Sequence, residues 1–271
     1  MLGSLVIIYP TPHEGGELVL RHKSHEWKFD ANSLTASQSS PSLAYVAFYS
    51  DLEHEVLKVT SGRRVTVTYN LYLVDPAPNL EAPVVTPSSG GVSNLQTTLQ
   101  GLLKDPKFLP DGGTLGFGLA HLYPVDFGTE LEEMITYLKG ADADVCRACR
   151  ELQLKPALKM IYEDSEDLGF GIMLNEVTSA YYDPYSEDYE STLVKQAGGV
   201  PVNLADDVNL DDSRWIKEGA EPEFITWISP PDCERNKLQD VTVAMGNDVS
   251  TGFIYSSPCL TVGIPAADDR K

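Results

Sequence analysis

The 271-residue chain has little of what marks secreted or membrane proteins. It has only four cysteines, too few to serve as a disulfide scaffold for a chain of this length. Its longest apolar run, Leu5 to Tyr9, is far shorter than the ~20 residues of a membrane-spanning helix. Residues 1–8 contain no basic residue and no small-residue cleavage site, so they lack the signal-peptide pattern. We therefore expect a protein of a reducing compartment, either the cytoplasm or the nucleus.

Basic residues are scarce as well. Twenty Lys and Arg stand against 40 Asp and Glu, which gives a formal net charge of −20. Nucleic-acid binding needs a basic footprint, and anionic membranes repel acidic proteins, so neither is an expected partner. The acidity is concentrated in residues 163–222, which hold 15 acids and 3 bases. This stretch is typical of solvated loops, and the alternative is a docking surface for a basic partner.

The first 74 residues are rich in strand patterns, and the fold class we predict is mainly β with an α+β extension. The predicted strands are separated by Gly, Pro and Ser turns, with Gly15-Gly16 as one turn and 31–42 as a surface loop. Short strands with tight turns indicate a sandwich or jelly roll. The strand patterns fall at residues 5–9, 17–21, 26–30, 43–49, 54–59 and 64–74.

A Pro/Gly/Ser-rich segment at 75–91 divides the chain. We place a β domain at 1–78 and an acidic α+β region at 79–271. The second region is predicted to hold helices at 92–103, with Ser93 as N-cap, and at 142–152. It also holds short strands, and residues 181–212 are expected to be mobile. The predicted strands are 158–162, 169–174, 224–228, 241–245 and 260–264.

The chain has five histidines, and a non-haem iron site usually combines two imidazoles and one carboxylate. No His-x-Asp or His-x-Glu pair occurs, so the usual close-spaced half of such a site is missing. The chain does contain His54 and, ten residues later, Arg64, around a turn at 60–62. The guanidinium of an Arg side chain can bind a carboxylate through two hydrogen bonds. Arg63, the neighbouring alternative, would face the other side of a strand.

Residues 48–72 strongly resemble the prolyl-4-hydroxylase-like branch of the Fe(II)/2-oxoglutarate-dependent dioxygenases, especially its fungal members. The segments 3–9, 15–18, 115–118 and 246–248 are also similar to that group. The resemblance implies a double-stranded β-helix (jelly-roll) core, with His54 as a metal ligand and Arg64 as the anchor of the 2-oxoglutarate carboxylate. It further implies Fe(II), 2-oxoglutarate and O2, with ascorbate as a further candidate cofactor. The substrate, a prolyl residue in a protein or a small metabolite, is left open.

The chain departs from the family in lacking the N-terminal His-x-Asp motif, because it begins after the point where that pair is expected. The core is therefore expected to be an incomplete jelly roll. Three interpretations follow: a dioxygenase seen in truncated form, a catalytically silent relative, or an oxygenase-like interaction module with an acidic docking face. Two other motifs are interpreted as structural. His22-x-x-His25 is expected to be a solvated turn, and Cys146-x-x-Cys149 a pair of helix thiols.

Overall fold

The computed structural model describes residues 1–35, 42–72, 91–163, 169–178, 189–205, 208, 210, 219–232, 237–245 and 248–270. The chain forms two compact units, Met1–Val84 and Val85–Lys271. The boundary predicted at 78/79 falls within 73–90, outside the described residues, so that division stays a prediction. We refer to the two parts as unit 1 and unit 2.

Unit 1 is built almost wholly from strands, as the alternating and apolar runs of its sequence predict. The strands pair antiparallel throughout the described residues of the unit. The elements are β1 Gly3–Ile8, β2 His13–Gly15, β3 Leu18–His22, β4 His25–Phe29, α1 Ala31–Thr35, β5 Ala44–Tyr49, β6 Glu53–Val56, β7 Val59–Gly62 and β8 Thr66–Leu71.

These strands form two three-stranded sheets and one two-stranded pair. The first sheet has the order β5-β1-β8 and the second the order β4-β3-β6, while β2 pairs with β7. One apolar cluster joins the two larger sheets, with Val6, Ile8 and Phe48 from the first and Leu18 and Leu20 from the second. The chain passes from the first sheet to the second and back several times, so most of the pairing is between strands that are distant in sequence.

Three local predictions in unit 1 are corrected. The single strand predicted at 54–59 is two strands, β6 and β7, because the chain switches from pairing with β3 to pairing with β2. Residues 60–62, predicted as a turn, belong to β7, and the strand predicted from 64 begins at Thr66. The loop predicted at 31–42 opens with the short helix α1, which Asp30 caps by accepting a hydrogen bond from the backbone N–H of Asn32 at 3.0 Å.

Unit 2 combines strands with four helices among its described residues. Its elements are α2 Gly91–Lys104, β9 Gly113–Gly118, α3 Leu131–Met134, α4 Gly140–Glu151, β10 Pro156–Glu163, β11 Phe170–Leu174, α5 Tyr189–Ala197, β12 Val200–Asn203, β13 Ile225–Ser229, β14 Lys237–Met245 and β15 Asp248–Ile264, with 3-10 turns at 135–137 and 267–269. A mixed sheet has the order β12-β11-β10-β15-β9-β13, and β14 pairs with β15 outside this path. Among the paired strands of the described residues, only β13 and β9 run in parallel.

The core of unit 2 lies on both faces of this sheet. One face carries the larger apolar cluster, which includes Met160, Tyr162 and Leu260, and α4 contributes Cys146 and Cys149 to it. The opposite face carries a smaller cluster that includes Ile161 and Cys259. Because both faces are covered, the central strands are almost continuously apolar, as β11 is.

The start of α4 is fixed by a buried carboxylate. Asp142 is 5% exposed and accepts hydrogen bonds from the backbone N–H groups of Ala120 and His121 at 2.7 and 3.0 Å. It also accepts one from the hydroxyl of Tyr123 at 2.9 Å. The position suits a carboxylate because the first turn of a helix is electropositive. Asp142 therefore joins the loop after β9 to the helix.

The broad fold class is confirmed, since the described residues are mainly β with a few helices and unit 2 has the predicted α+β composition. Ser93 as an N-cap is wrong, because α2 begins at Gly91 and Ser93 lies in its first turn. Residues predicted as mobile include α5 and β12, while 181–188, 206–207, 209 and 211–212 lie outside the described residues. No helix among the described residues is long and apolar enough to cross a membrane.

Candidate functional site

His54 faces the interior of unit 1. It is the second residue of β6 and lies opposite Leu20 of β3, a core residue that is 4% exposed. Its ring centroid is 5.1 Å from that of Phe48 on β5, so the imidazole reaches across to the other sheet. Because β6 is at the edge of its sheet, His54 is nevertheless exposed to solvent. An accessible imidazole next to the core can act as a ligand.

The opposite face of the same sheet carries an ion-pair network. Arg21 contacts Glu26 at 2.9 Å, Glu53 at 3.3 Å and Glu55 at 3.1 Å. The hydrogen bond that Arg21 donates to Glu26 raises the pKa of Arg21 and lowers the pKa of Glu26. These pairs are too exposed to contribute much stability. They do show that Glu53 and Glu55 occupy the outer face, which leaves His54 on the inner one.

Arg64 is a half-buried cation without a described partner. Its Nε is buried and has no hydrogen-bond partner among the described residues, and no described carboxylate lies within ion-pair distance. Desolvation lowers the pKa of its guanidinium. The side chain runs past Gly16, where an added Cβ would lie 2.8 Å from Arg64 Cδ. A desolvated guanidinium without a partner has the hydrogen-bonding capacity to bind an anion.

The strand that follows Arg64 presents polar residues to the core. Thr66 and Thr68 lie opposite the buried residues Ile8 and Val6 of β1, so they share the inner face. Tyr69, between inward positions, is on the outer face and is 53% exposed. This pattern is the reverse of an ordinary half-buried strand, in which the apolar residues face the core. Thr66 is half-buried and Thr68 is exposed, so these hydroxyls lie at the solvent-accessible rim of the inner face.

The local geometry predicted for the two site residues needs correction, whereas their functional assignment stays a prediction. His54 is the second residue of β6 rather than the first residue of a strand at 54–59, and Arg64 lies in the loop 63–65 rather than on the strand predicted from residue 64. They do not come from neighbouring strands, because β6 and β8 belong to different sheets and β7 lies between them in sequence. Arg63, the alternative to Arg64, is exposed.

His54 is the one metal ligand that the sequence predicts. His54 belongs to no group of three His, Cys, Asp or Glu side chains there that could share an ion. One pair of potential metal ligands was not predicted from the sequence. A ring nitrogen of His22 and a carboxylate oxygen of Asp51 lie within 4.8 Å of each other. These residues are distant in sequence and have no motif spacing. His22 is half-buried at the end of β3, so the solvated-turn interpretation holds only for the exposed His25.

The helix thiols are structural, as predicted. Cys146 and Cys149 are free, 3% and 1% exposed, and part of the apolar cluster of unit 2. Burial raises the pKa of Cys149 to about 11 and that of Cys259 to about 12. Thiols with such pKa values stay protonated near neutral pH and are poor nucleophiles and metal ligands. Cys233 lies outside the described residues.

No family model, curated protein or solved structure matches the chain.

Proposed function

We propose that unit 1 is an incomplete jelly-roll domain of the Fe(II)/2-oxoglutarate dioxygenase type, in which Arg64 binds a carboxylate of 2-oxoglutarate. His54 is the one metal ligand that the proposal assigns. The observation that carries the proposal is the buried Nε of Arg64, which has no partner among the described residues. 2-Oxoglutarate supplies this missing anionic partner.

The strand order of unit 1 supports the jelly roll. Along the chain β1 is in the first sheet, β3 and β4 in the second, β5 in the first, β6 in the second and β8 in the first. Alternation of this kind between two packed sheets is the pattern of a jelly roll, and the apolar cluster between the sheets supports it further. β6 and β8, like β4 and β5, are edge strands of the described sheets, so further strands could pair with them.

The surroundings of Arg64 support an anionic ligand of modest size. The guanidinium is held beside Gly16, and the inner face of β8 continues with Thr66 and Thr68. A bidentate Arg–carboxylate contact is stronger and more directional than a neutral hydrogen bond. The net charge of residues 1–80 is only −2, from 8 acids and 6 bases, so this unit repels an anion far less than the whole chain does.

The described residues do not fit Fe(II) by themselves. A non-haem site of this kind uses two imidazoles and a carboxylate, and His54 has no such companions among the described residues. Arg64 and His54 thus account for the co-substrate anchor and one ligand. Hydroxylation of a C–H bond requires two further ligands beside His54.

A non-catalytic role is the second candidate, and the incomplete ligand set around His54 favours it. In this form the domain binds 2-oxoglutarate without turning it over. The docking of a basic partner on the acidic residues 163–222 stays a prediction, because many of these residues lie outside the described ones.

Calorimetric titration with 2-oxoglutarate tests the anchor. The wild-type chain is expected to bind one equivalent, and Arg64→Met to bind it roughly thirtyfold or more weakly, since truncating one partner of a charge pair costs at least about 2 kcal/mol. Arg63→Met is the matched control, because it removes the same charge from an exposed neighbour. Equal affinity in all three proteins, or no binding to the wild type, would refute the proposal.

Succinate release separates the two candidate functions. The full chain is incubated with Fe(II), ascorbate, 2-oxoglutarate and O2, and succinate is quantified with and without His54→Ala. Release that depends on His54 identifies a dioxygenase. Binding of 2-oxoglutarate without release identifies the non-catalytic domain.

A further inference from the structure

A pocket of about 480 Å³ lies in unit 1, at the end of the core where β1 begins and β5 and β8 end. Both sheets and the turn after β5 contribute to its walls. The lining residues are Leu2, Gly3, Leu20, Trp27, Phe29, Ala47, Phe48, Tyr49, Leu52 and Leu71. Arg64 and His54 are not among them, although Leu20 and Phe48 both adjoin His54.

The walls of the pocket carry no ionisable group except the phenol of Tyr49. Four of the ten residues are aromatic, and the others are aliphatic or glycine. An ion entering such walls would lose its hydration without gaining a partner, so the pocket selects against charged molecules. Aromatic walls favour flat rings, which they can contact by offset stacking or edge to face.

Hydrogen-bonded strands fix these walls before any ligand arrives. The backbone N–H of Leu2 donates to Leu71 O at 2.7 Å, and the N–H of Ser50 donates to Leu2 O at 3.1 Å. On the other side Trp27 lies opposite Leu20 in the β3–β4 ladder. A preformed wall binds more tightly because little entropy is lost in ordering it.

Trp27 forms the exposed rim of the pocket. Its side chain is 44% exposed although it is among the largest apolar groups of the chain. The imidazole of His25 stacks on it, with ring centroids 5.8 Å apart and planes 15° apart. This stack restricts the orientation of the indole at the rim of the pocket.

We propose that this pocket binds an uncharged, apolar molecule of two or three rings. Its volume of about 480 Å³ is roughly three times that of an engineered apolar cavity of ~150 Å³ that takes up benzene. It also falls within the range of about 300–1,000 Å³ usual for small-molecule sites. The site is separate from the carboxylate anchor at Arg64, and it requires neither a metal nor 2-oxoglutarate.

Titration with N-phenyl-1-naphthylamine, a neutral three-ring probe that fluoresces in apolar surroundings, tests the proposal on the full chain. We expect saturable binding of one equivalent. Trp27→Ala is expected to weaken it roughly tenfold, because it removes one aromatic wall. Tyr45→Ala is the matched control, since it deletes a 74% exposed aromatic side chain that does not line the pocket.

Trp27→Phe distinguishes loss of the aromatic wall from a general loss of folding in Trp27→Ala. It keeps a ring in the wall but removes the indole, so probe affinity is expected to change by less than roughly threefold. Energy transfer from tryptophan to the probe should fall, since Trp27 is one of only three tryptophans. Binding that does not saturate, or that Tyr45→Ala weakens as much as Trp27→Ala, would overturn the proposal.

The same probe separates this site from the carboxylate anchor. Arg64→Met is expected to leave probe affinity unchanged, and 2-oxoglutarate is not expected to displace the probe. Displacement by 2-oxoglutarate would overturn the pocket assignment. Failure of 2-oxoglutarate to bind at all would refute the proposed function and leave the pocket intact.

Discussion

At the scale of single residues, the sequence identifies His54 and Arg64 as the pair to study but only partly predicts their surroundings. The inward direction of His54 follows from strand alternation, because Glu53 and Glu55 are charged and belong on the outer face. The burial of Arg64 could not be predicted from the sequence. It depends on the close approach of Gly16, and the pairing of β2 with β7 brings these two residues together. Its missing partner is visible only in three dimensions.

A half-buried cation without a partner lowers stability in the ligand-free protein. Replacing it with methionine keeps much of the volume and removes the desolvation cost, so Arg64→Met is expected to raise the melting temperature. Differential scanning calorimetry without 2-oxoglutarate measures this. Arg63→Met, at an exposed position, should change it little, and a lower melting temperature for Arg64→Met would show that the guanidinium is already satisfied.

The buried thiols give a second prediction for individual residues. In a Cys233→Ser variant the three described cysteines should react with a thiol reagent only on unfolding, even at pH 9. Burial raises the folded-state pKa of Cys149 to about 11 and that of Cys259 to about 12, above the value near 8.5 of an exposed thiol. The protonated thiols therefore favour the folded state most below about pH 8.5, and this contribution is lost as the pH rises towards the folded-state values. Fast labelling of the native variant at pH 9 would show that the thiols are accessible.

At the scale of elements, the positions of the strands are easier to predict than their bounds and partners. Leu5 to Tyr9 is continuously apolar and Glu26 to Asp30 alternates, and the structure has β1 and β4 at these positions. The division of 54–59 into β6 and β7 has no local signal, because it arises from a change of partner strand. The short strand β12 and the parallel pairing of β9 with β13 were not predicted, because they depend on contacts between residues distant in sequence.

The turn before β3 gives a prediction at this scale. Gly16 has a φ of +75°, and an added Cβ would lie 2.8 Å from both Arg64 Cδ and Val59 Cγ2. Gly16→Ala should therefore destabilise the chain by ~1 kcal/mol or more and weaken 2-oxoglutarate binding, as measured by urea unfolding and calorimetry.

Gly101→Ala is the matched control for that change. Gly101 lies in α2, and an added Cβ would meet nothing within 4 Å. The substitution should stabilise the chain by about 0.5–1 kcal/mol through helix propensity. If Gly16→Ala behaved like Gly101→Ala, the close approach of Arg64 to this turn would be wrong.

At the scale of the whole molecule, the net charge is unevenly distributed: the first 80 residues are nearly neutral and the remaining residues are strongly acidic. The pattern of strands and helices predicts a mainly β first unit and a mixed second unit, and the structure agrees. The sheet order is set by contacts between residues far apart in sequence, which local patterns do not contain. The jelly roll that the sequence resemblance implies stays a prediction, and the pocket between Leu20, Trp27 and Phe48 could be found only from the folded chain.

The most direct measurement is a ¹H–¹⁵N spectrum of the arginine Nε–H groups, recorded with selective ¹⁵N-arginine labelling during titration with 2-oxoglutarate. The chain has eight arginines, and the spectrum of Arg64→Lys assigns the Arg64 signal by its loss. The account predicts that the Arg64 Nε–H signal shifts and exchanges more slowly with solvent as the ligand saturates, while that of Arg63 stays in place. An unmoved Arg64 signal at saturating 2-oxoglutarate would contradict it.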